Sequence, residues 1–262
     1  MTGEFKISVL ASGSKGNATI ITAGGKNFLI DAGISCRQLT QRIKETGMQP
    51  EDLDGVLLTH EHRDHISGLP VFSRKYHLPV FANEPTWRSL PQRSEMERSC
   101  CRLLPKCLET EGLKIENFAV PHDAAGAVGY VFSYAGARCV YLTDVGFITE
   151  EIKNNVAGAD TLVLEANHDE EMLKKGIYPY ALKQRILGTR GHLSNKAAGW
   201  LLSQMERLPG EVILAHLSQE NNTPELAYNS ALEALGRSGG EPGKNVELFV
   251  APSDCCGPVI EV

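Results

Sequence analysis

The side chains best suited to chemistry are concentrated in the segment His60–His65, which reads His-Glu-His-Arg-Asp-His. Its three imidazoles and the Asp64 carboxylate are ligand types that suit zinc, manganese or iron. The segment contains no cysteine, and a mixed His/Asp set is more typical of a catalytic metal site than of a closed structural one. In a helix, His60 and His62 would point to different sides, whereas a loop lets all the ligands turn inward. We therefore predict a catalytic metal site on a loop.

Other metal-capable side chains follow predicted strands elsewhere in the chain. Short apolar runs rich in β-branched residues predict strands at Ile7–Ala11, Thr19–Thr22, Asn27–Ile30, Gly55–Thr59, Val80–Ala82, Ile115–Val120, Tyr130–Tyr134, Arg138–Leu142, Thr161–Glu165, Glu211–Ala215 and Val246–Val250. The residues that follow these strands directly or closely include Asp31, His60, His122, Asp144, Asn167, His168 and His216. Because loops at the carboxyl ends of strands converge on one crevice, we expect these side chains to share a site.

Helix signals lie between many of the predicted strands. Ser35 can cap a helix from Cys36 to about Thr46, Ser194 one through about Arg207, and Thr223 one from Pro224 through about Gly236. A further short helix is predicted to run toward Tyr76. The alternation predicts an α/β fold, organised as one compact domain over residues 1–262, with helices covering both faces of its sheets.

Composition and charge narrow the class of protein. Of the 262 residues, 42% are hydrophobic and 22% charged, which predicts an ordinary globular core. The formal net charge of −6 argues mildly against binding nucleic acid through bulk electrostatics. The start, Met1–Lys6, has no signal-peptide pattern, and no apolar window approaches ~20 residues. The seven cysteines include no C-x-x-C pair, which favours reduced thiols. We expect a cytoplasmic protein without membrane contact.

The pattern H-x-H-x-D-H after an apolar strand resembles the metallo-β-lactamase superfamily, and the resemblance covers most of the chain. Within that superfamily, four segments are similar to the YycJ/WalJ-like nuclease group: Ala11–Asn17, Leu164–Asp169, Gly191–Asn195 and Ala215–Ser218. Ribonuclease Z is a more distant relative, with a histidine similar in placement to His192. The resemblance implies an αββα sandwich of two mixed sheets flanked by helices, with two metals at one edge.

The resemblance also implies a role for each ligand-type residue. It assigns one divalent ion to His60, His62 and His122, a second to Asp64, His65 and His216, and the bridge between them to Asp144. Asp31 would orient a ligand histidine through its other ring nitrogen. The implied metals are manganese or zinc, with iron as a third candidate, because a His/Asp site does not discriminate strongly among them.

The implied mechanism follows from the metal pair. Two cations can share a water and bring its pKa toward ~7, so that a bridging hydroxide attacks the substrate. Asp64 and His192 are the candidate catalytic residues. His192 would donate a proton to the leaving oxygen or contact a phosphate; the alternative is a capping or core histidine before the Ser194 helix.

Two loops contain candidate substrate contacts. The glycine-serine loop after the first strand could cradle a phosphate, although it lacks the spacing of a P-loop and could be an ordinary turn. His168 lies beside acidic residues at a predicted helix start, where a structural role is the alternative. The candidate substrate-binding residues are Ser12, Ser14, Lys15, Asn17, His168, Ser194 and Asn195.

The predicted function is a metal-dependent phosphodiesterase, and the resemblance implies a 5′-to-3′ exonuclease on double-stranded DNA, with DNA favoured over RNA. The segment Leu173–Lys196 contains six basic residues and no acidic one, which could track a phosphate backbone. Two alternatives stay open: a small-molecule hydrolase, either a phosphodiesterase or a glyoxalase II-type thioesterase, and a non-catalytic metal-binding module. The intact ligand set disfavours the module. The sequence identifies no protein partner.

Overall fold

Two seven-stranded sheets lie face to face in the computed structural model, which describes residues 4–262. Across the first sheet the order is β14 (Val259–Glu261), β1 (Phe5–Ala11), β2 (Ala18–Ala23), β3 (Lys26–Ile30), β4 (Gly55–Leu57), β5 (Val80–Ala82) and β6 (Cys101–Leu103). Across the second it is β13 (Glu247–Val250), β12 (Glu211–Ala215), β11 (Thr161–Glu165), β10 (Ala137–Leu142), β9 (Val128–Tyr134), β8 (Leu113–Ala119) and β7 (Cys107–Thr110).

Nine α-helices of the described residues cover the outer faces and the connections. They are α1 (Cys36–Glu45), α2 (Arg63–Ile66), α3 (Leu69–Tyr76), α4 (Glu84–Ser89), α5 (Glu150–Val156), α6 (Glu170–Lys175), α7 (Tyr180–Leu187), α8 (Asn195–Ser203) and α9 (Pro224–Arg237). Two 3₁₀ turns lie at Pro50–Asp52 and Arg93–Glu95. Over residues 4–262, no helix is both long enough and apolar enough to cross a membrane.

Both sheets are mixed, with an antiparallel half and a parallel half. In the first sheet β14, β1, β2 and β3 pair antiparallel, and β3 to β6 pair parallel. In the second sheet β7 to β10 pair antiparallel, and β10 to β13 pair parallel. The parallel strands of each sheet therefore end together at one edge, where their following loops can meet.

The strands read as continuous apolar runs because each sheet is buried on both faces. Along β10, Cys139 and Tyr141 pack between the two sheets, whereas Val140 and Leu142 pack against the helices of the second sheet. On the first sheet, Phe28 and Ile30 of β3 face the other sheet, and Leu29 faces the helices. The result is a helix–sheet–sheet–helix sandwich, which confirms the predicted αββα fold.

The predicted elements match the structure closely, although the helices α4, α5 and α7 were not among those predicted. Each of the eleven predicted strands is present, with ends shifted by two residues at most. The short strands β6, β7 and β14 were not predicted, because they are only partly buried and lack a clear apolar pattern. The helix capped by Ser194 ends at Ser203 rather than near Arg207, because the chain turns there to enter β12.

The loop after β3 packs against α2 without room for a side chain. The Gly33 N–H donates to the Asn17 carbonyl at 2.8 Å, and the Ala32 N–H donates to the His65 carbonyl at 2.8 Å. A Cβ atom built on Gly33 would lie 1.7 Å from the Asp64 carbonyl oxygen. This contact fixes the distance between the β3 loop and the helix that contains Asp64 and His65.

We predict that Gly33→Ala lowers the free energy of unfolding by about 3 kcal/mol, because backbone must move to admit the methyl group. The matched control is Gly236→Ala in α9, where a Cβ meets no atom within 4 Å. That change should raise the free energy of unfolding by roughly 0.5–1 kcal/mol, since alanine favours helix. Urea unfolding of both variants measures the difference. Equal effects would show that the Gly33 contact is not tight.

Candidate active site

Metal-capable side chains meet at the edge of the sandwich where the parallel strands end. Within each of four overlapping groups, one potential ligand atom per residue lies within 4.8 Å of all the others. The groups are His60/His62/His122, Asp64/His65/His216, His60/His65/Asp144 and Asp144/Glu165/His192/His216. The structure therefore brings together all seven residues that the resemblance implies as ligands, in the two predicted triads.

The carboxylate of Asp144 lies between the two triads. Its Oδ2 is 3.4 Å from His65 Nε2, and its Oδ1 is 3.5 Å from His216 Nε2. The same Oδ1 is 3.8 Å from His122 Nε2. Oδ1 thus faces His122 of one triad and Oδ2 faces His65 of the other. This is the placement expected of a bridging carboxylate.

Unpaired polar atoms in the cluster test whether it fits a metal. Among residues 4–262, His60 Nε2 and Asp144 Oδ2 are buried without a hydrogen-bond partner. Leaving such atoms unpaired costs about 1–3 kcal/mol each, so a native structure needs a partner for them. Imidazole nitrogens and carboxylate oxygens suit divalent transition metals. The cluster therefore fits divalent metal ions.

Hydrogen bonds behind the cluster fix how the histidine rings face it. The Nδ1 of His122 donates to the Gly191 carbonyl at 3.0 Å, and the Nδ1 of His216 lies 2.9 Å from Glu165 Oε1. His65 Nδ1 lies 2.7 Å from Asp31 Oδ2. Each bond leaves the Nε2 atom directed at the cluster, as in metal sites whose ligands are oriented from behind.

The carboxylate of Asp31 lies behind the ring of His65, where the resemblance implies an orienting residue. Its carboxylate is fully buried and accepts bonds from the Thr59 N–H at 2.8 Å, the Thr59 hydroxyl at 2.7 Å and His65. Burial raises the pKa of Asp31, and its bonds to His65 and Thr59 oppose that rise. Asp31 therefore holds both the start of the ligand segment and one ligand ring.

The histidines of the cluster differ in whether they carry a proton and a positive charge. Burial lowers the pKa of His60 well below its usual range, and neighbouring histidines lower it further, so this ring is neutral. Burial opposes a charge on His216, but the carboxylates of Asp144, Asp64 and Glu165 together outweigh it, and the pKa rises to about 10. A bound cation would take the place of that proton beside the carboxylates.

Left-handed backbone occurs at three of the strand ends that form the site. Asp31, Asp144 and His216 have φ values of +59°, +60° and +57°. Residues other than glycine avoid this region, and each such residue costs of order 1–3 kcal/mol. The backbone turns sharply at these points and directs the side chains toward the cluster. Three of the six non-glycine residues with positive φ among residues 4–262 therefore lie at the site.

The ligand segment is not entirely the loop that its sequence predicts. Arg63–Ile66 forms the short helix α2, and the His65 N–H donates to the His62 carbonyl at 2.9 Å. His60 and His62 lie in the preceding loop, with extended backbone at His62. The prediction of a loop throughout was wrong because the second half of the segment turns into helix, which places Asp64 in its first turn.

Glu165 is a residue of the site to which the sequence analysis gave no role. It ends β11, is fully buried, and its Oε1 lies 2.8 Å from His192 Nδ1. Its Oε2 accepts bonds from the Val145 and Leu193 N–H groups at 2.9 and 3.0 Å. The available signal was a glutamate at the end of an otherwise apolar strand. Because Glu165 was interpreted only as a strand residue, its contacts with the site were not predicted.

Asp123 is a second residue that the sequence analysis missed. Its Oδ1 lies 3.4 Å from His122 Nε2 and 3.8 Å from His62 Nε2, and its Oδ2 pairs with Arg185. The guanidinium of Arg185 and the nearby histidines lower the pKa of Asp123 against the effect of burial. An acid directly after His122 was the signal that could have identified it.

A cleft of about 330 Å³ opens over the cluster. Its walls include Ser14, Asp64, Tyr178, Arg185 and His192. The side chain of His192 is 19% exposed, and burial and Glu165 act on it in opposite directions, with the net effect that its pKa is raised. Both predicted catalytic residues, Asp64 and His192, therefore reach the cleft.

The glycine-serine loop is divided between the cleft and the region behind the cluster. Ser12 is buried, and its Oγ accepts the His216 N–H at 2.7 Å. Asn17 is also buried, with Nδ2 3.3 Å from the Asp64 carbonyl oxygen. The Asn17 amide also lies 3.2 Å from His65 Nε2 and 3.4 Å from Asp64 Oδ2. The structure thus places both residues in bonds within the site and not among the cleft residues that a substrate would meet. Ser14 lines the cleft and Lys15 is exposed on the same loop.

The other predicted substrate contacts lie away from the metal cluster. Asn195 is buried in a pair of amide hydrogen bonds with Asn222, both of 2.9 Å, so a substrate cannot reach it. Ser194 caps α8 and bonds to Glu170 at 3.2 Å. His168 is 1% exposed and lines a neighbouring cavity instead of the cleft, and burial lowers its pKa to about 4.

The basic segment Leu173–Lys196 is less cationic in three dimensions than in sequence. Four of its six basic residues form ion pairs with acids outside the segment: Lys174 with Glu170 and Glu171, Lys175 with Glu171, Lys196 with Glu170, and Arg185 with Asp123. Lys183 and Arg190 form no ion pair with the described residues. The sequence analysis overestimated the positive charge of this segment, because Glu170, Glu171 and Asp123 lie outside it and pair with its cations.

Comparison with known proteins identifies a family that matches most of the chain and two relatives that align with nearly all of it. The family described as the beta-lactamase superfamily domain matches residues 26–217. The exodeoxyribonuclease WalJ of Streptococcus pneumoniae serotype 2 is 36% identical over 264 aligned positions, covering 98% of each chain. The exodeoxyribonuclease YycJ of Bacillus anthracis is 38% identical over 247 positions, covering 92% of this chain and 93% of YycJ.

Solved structures share the fold at low sequence identity. Zn²⁺-bound PqqB from Methylobacterium extorquens superposes with a TM-score of 0.72 at 18% identity, covering 98% of this chain and 100% of PqqB. The metallo-β-lactamase fold protein YhfI from Bacillus subtilis superposes with a TM-score of 0.69 at 17% identity, with the same coverage. These likenesses agree with the two mixed sheets described above.

We predict that Asp31→Asn weakens binding of divalent metal roughly 10- to 100-fold, because an amide cannot accept from both His65 and Thr59 as the carboxylate does. Isothermal titration of the metal-free protein with Zn²⁺ and Mn²⁺ measures this. The matched control is Asp54→Asn, whose carboxylate bonds to Lys26 and Asn27 outside the cluster. If both substitutions change affinity alike, Asp31 has no specific effect on the site.

Proposed function

Because the chain belongs to the metallo-β-lactamase superfamily, alongside the WalJ and YycJ exodeoxyribonucleases, we propose that it is a metal-dependent exonuclease that removes nucleotides from the 5′ end of double-stranded DNA. The observation that carries the proposal is a cleft in which two ligand triads, the Asp144 carboxylate and His192 lie together. That arrangement supports phosphodiester cleavage, and the two relatives support DNA as the substrate.

Two divalent cations, manganese or zinc, are proposed as cofactors. His60, His62 and His122 would hold one, Asp64, His65 and His216 the other, and Asp144 would contact both. When bound, such a pair supplies Lewis acidity and offsets the negative charge that a phosphodiester gains as its bond breaks. The chain's own contribution is to fix the ligands through the bonds behind His65, His122 and His216.

Asp64 and His192 are proposed to act on the substrate from two sides of the cleft. Asp64 is a quarter exposed and carries a lowered pKa, since His65 and His216 outweigh the effect of its burial. As a carboxylate it can accept a hydrogen bond from the attacking water and orient it. His192 is held by Glu165 through Nδ1, which leaves Nε2 to donate a proton to the leaving oxygen.

The exonuclease proposal is favoured over a glyoxalase II-type thioesterase, the alternative from the sequence, because the two full-length relatives act on DNA by name. A cytoplasmic location is part of the proposal, and it is supported by seven free cysteines. The proposed polymer contacts are local, at the cleft, because most of the basic segment is already paired with acids.

With Mn²⁺, the purified chain should release mononucleotides from the 5′-labelled end of linear duplex DNA and leave covalently closed circular DNA intact. Denaturing gels of 5′- and 3′-labelled duplexes give the direction of degradation, and parallel reactions with RNA and S-lactoylglutathione give the substrate class. Asp144→Ala is the inactive reference. Cleavage of the circle, or of the thioester alone, would contradict the proposal.

His192→Gln should lower kcat on duplex DNA by roughly 10²–10⁴-fold, because the leaving deoxyribose oxygen then departs without a proton. A thymidine 4-nitrophenyl phosphodiester releases 4-nitrophenolate, a stable leaving group that needs no proton. The same variant should therefore lose much less activity on this substrate. The matched control is His77→Gln, since the His77 side chain is 80% exposed and, among residues 4–262, forms one ion pair, with Glu97. Equal losses on both substrates would exclude His192 as the proton donor.

A further inference from the structure

A second cavity, of about 350 Å³, opens beside the cleft. Its volume is within the range of roughly 300–1,000 Å³ that is typical of small-molecule sites. His192 lines both this cavity and the cleft. We call it the His168 cavity, after the residue at its wall; the other lining residues used below are Phe147, Glu170, Ala197 and Trp200.

Two large aromatic side chains form part of the wall of the His168 cavity. Phe147 is 46% exposed and Trp200 is 45% exposed, although both are apolar. Exposed aromatic faces beside a nuclease cleft can stack on a flat ring, and stacking on a base is tolerant of its identity. The wall therefore favours a planar, aromatic ligand over a flexible aliphatic one.

The polar group of the cavity is a buried histidine whose ring has no partner. Neither Nδ1 nor Nε2 of His168 forms a hydrogen bond with the part of the chain that the structure describes. Its carbonyl accepts the Asn195 N–H at 2.9 Å and its backbone pairs with Ser194, which fixes its place beside the cavity. Because burial keeps this ring neutral, it offers one donor and one acceptor.

The lining of the His168 cavity has no cation positioned to hold a phosphate. No lysine or arginine of residues 4–262 is part of the lining, and the carboxylate of Glu170, which is, pairs with Lys174 and Lys196. A neutral ring with donors and acceptors on its edge fits both this lining and the unpaired histidine. A nucleobase has these properties, and His192, which lines the cavity and the cleft, lies beside both.

We propose that the His168 cavity binds the base of a nucleotide flanking the phosphodiester that lies at the metal cluster. This inference rests on the proposed nuclease function and names the part of the substrate that the second cavity recognises. Stacking on Phe147 and Trp200 supplies affinity, and His168 pairs with the polar edge of the base. The phosphate is thereby held beside His192.

The first test measures binding without metal or catalysis. The chain has two tryptophans, and Trp87 is buried, so quenching by a ligand reports on Trp200. In protein kept metal-free by a chelator, deoxyadenosine and thymidine should quench its fluorescence saturably, whereas deoxyribose should not. Ala197→Leu, which fills the cavity, should weaken nucleoside binding roughly tenfold.

Phe147→Ala removes one exposed wall without touching the core and should also weaken nucleoside binding, by roughly fivefold. Its matched control is Val71→Ala, since Val71 is 47% exposed on α3 and lines neither cavity. The control should bind nucleosides like the unchanged protein. Quenching by deoxyribose as strong as that by nucleosides, or nucleoside binding unaffected by both Ala197→Leu and Phe147→Ala, would overturn the proposal.

The second test uses duplex DNA in which one nucleotide flanking the cleaved bond has no base. Removing the base should lower kcat/KM roughly tenfold for the unchanged protein and have little effect on Ala197→Leu. An equal penalty in both proteins would overturn the proposal. Failure to degrade any intact duplex would instead contradict the nuclease function, and the metal-free titration would still decide whether the cavity binds nucleosides.

Discussion

One buried carboxylate, that of Glu165, connects the parts of the site. It accepts hydrogen bonds from two histidine rings, His192 and His216, and from the backbone N–H groups of Val145 and Leu193. Those four groups come from three separate loops, of which one follows β10, one follows β12 and one connects α7 to α8. A charge buried without such bonds would be strongly destabilising, so the loops must close on Glu165 together. The position of the candidate proton donor and that of a candidate metal ligand are therefore set by the same group.

The same principle operates on the other side of the cluster, where Asp31 holds His65. Each side pairs a buried carboxylate with a histidine, and on each side a residue has left-handed backbone: Asp31 on one, His216 on the other. Strain of this kind persists only where the surroundings over-determine it. The sandwich provides that rigidity, because both faces of both sheets are packed. The fold thus fixes the side chains of the cluster close together.

Much of the fold and of the candidate site could be predicted from the sequence. The features that could not be predicted depend largely on contacts between residues distant in the chain. The strands and the capped helices follow from apolar runs and capping residues. Polar residues at strand ends indicated a shared site, and the family resemblance implied its seven ligands. Glu165 could not be given a role, because an acid at the end of an apolar strand has no meaning until its partners are known. Asn17 and Ser12 are committed to bonds within the site, which a sequence does not show because it does not tell which side chains of a turn point inward. The charge of Leu173–Lys196 was overestimated for two reasons: Glu170 and Glu171, just before the segment, pair with Lys174 and Lys175 within one helix, and Asp123 pairs with Arg185 only through the fold.

The pairing of the basic segment Leu173–Lys196 with acids limits how an acidic chain can bind DNA. With a net charge of −6 and most of the basic segment already paired, counterion release can contribute only through a few residues near the cleft. Affinity must then come from contacts that do not depend on bulk charge: coordination of the phosphate and stacking of a base. His192 lies between the two places where those contacts would form. Because one ring forms the wall of both, a base seated on one side and a phosphate on the other would fix the leaving oxygen beside its proton donor.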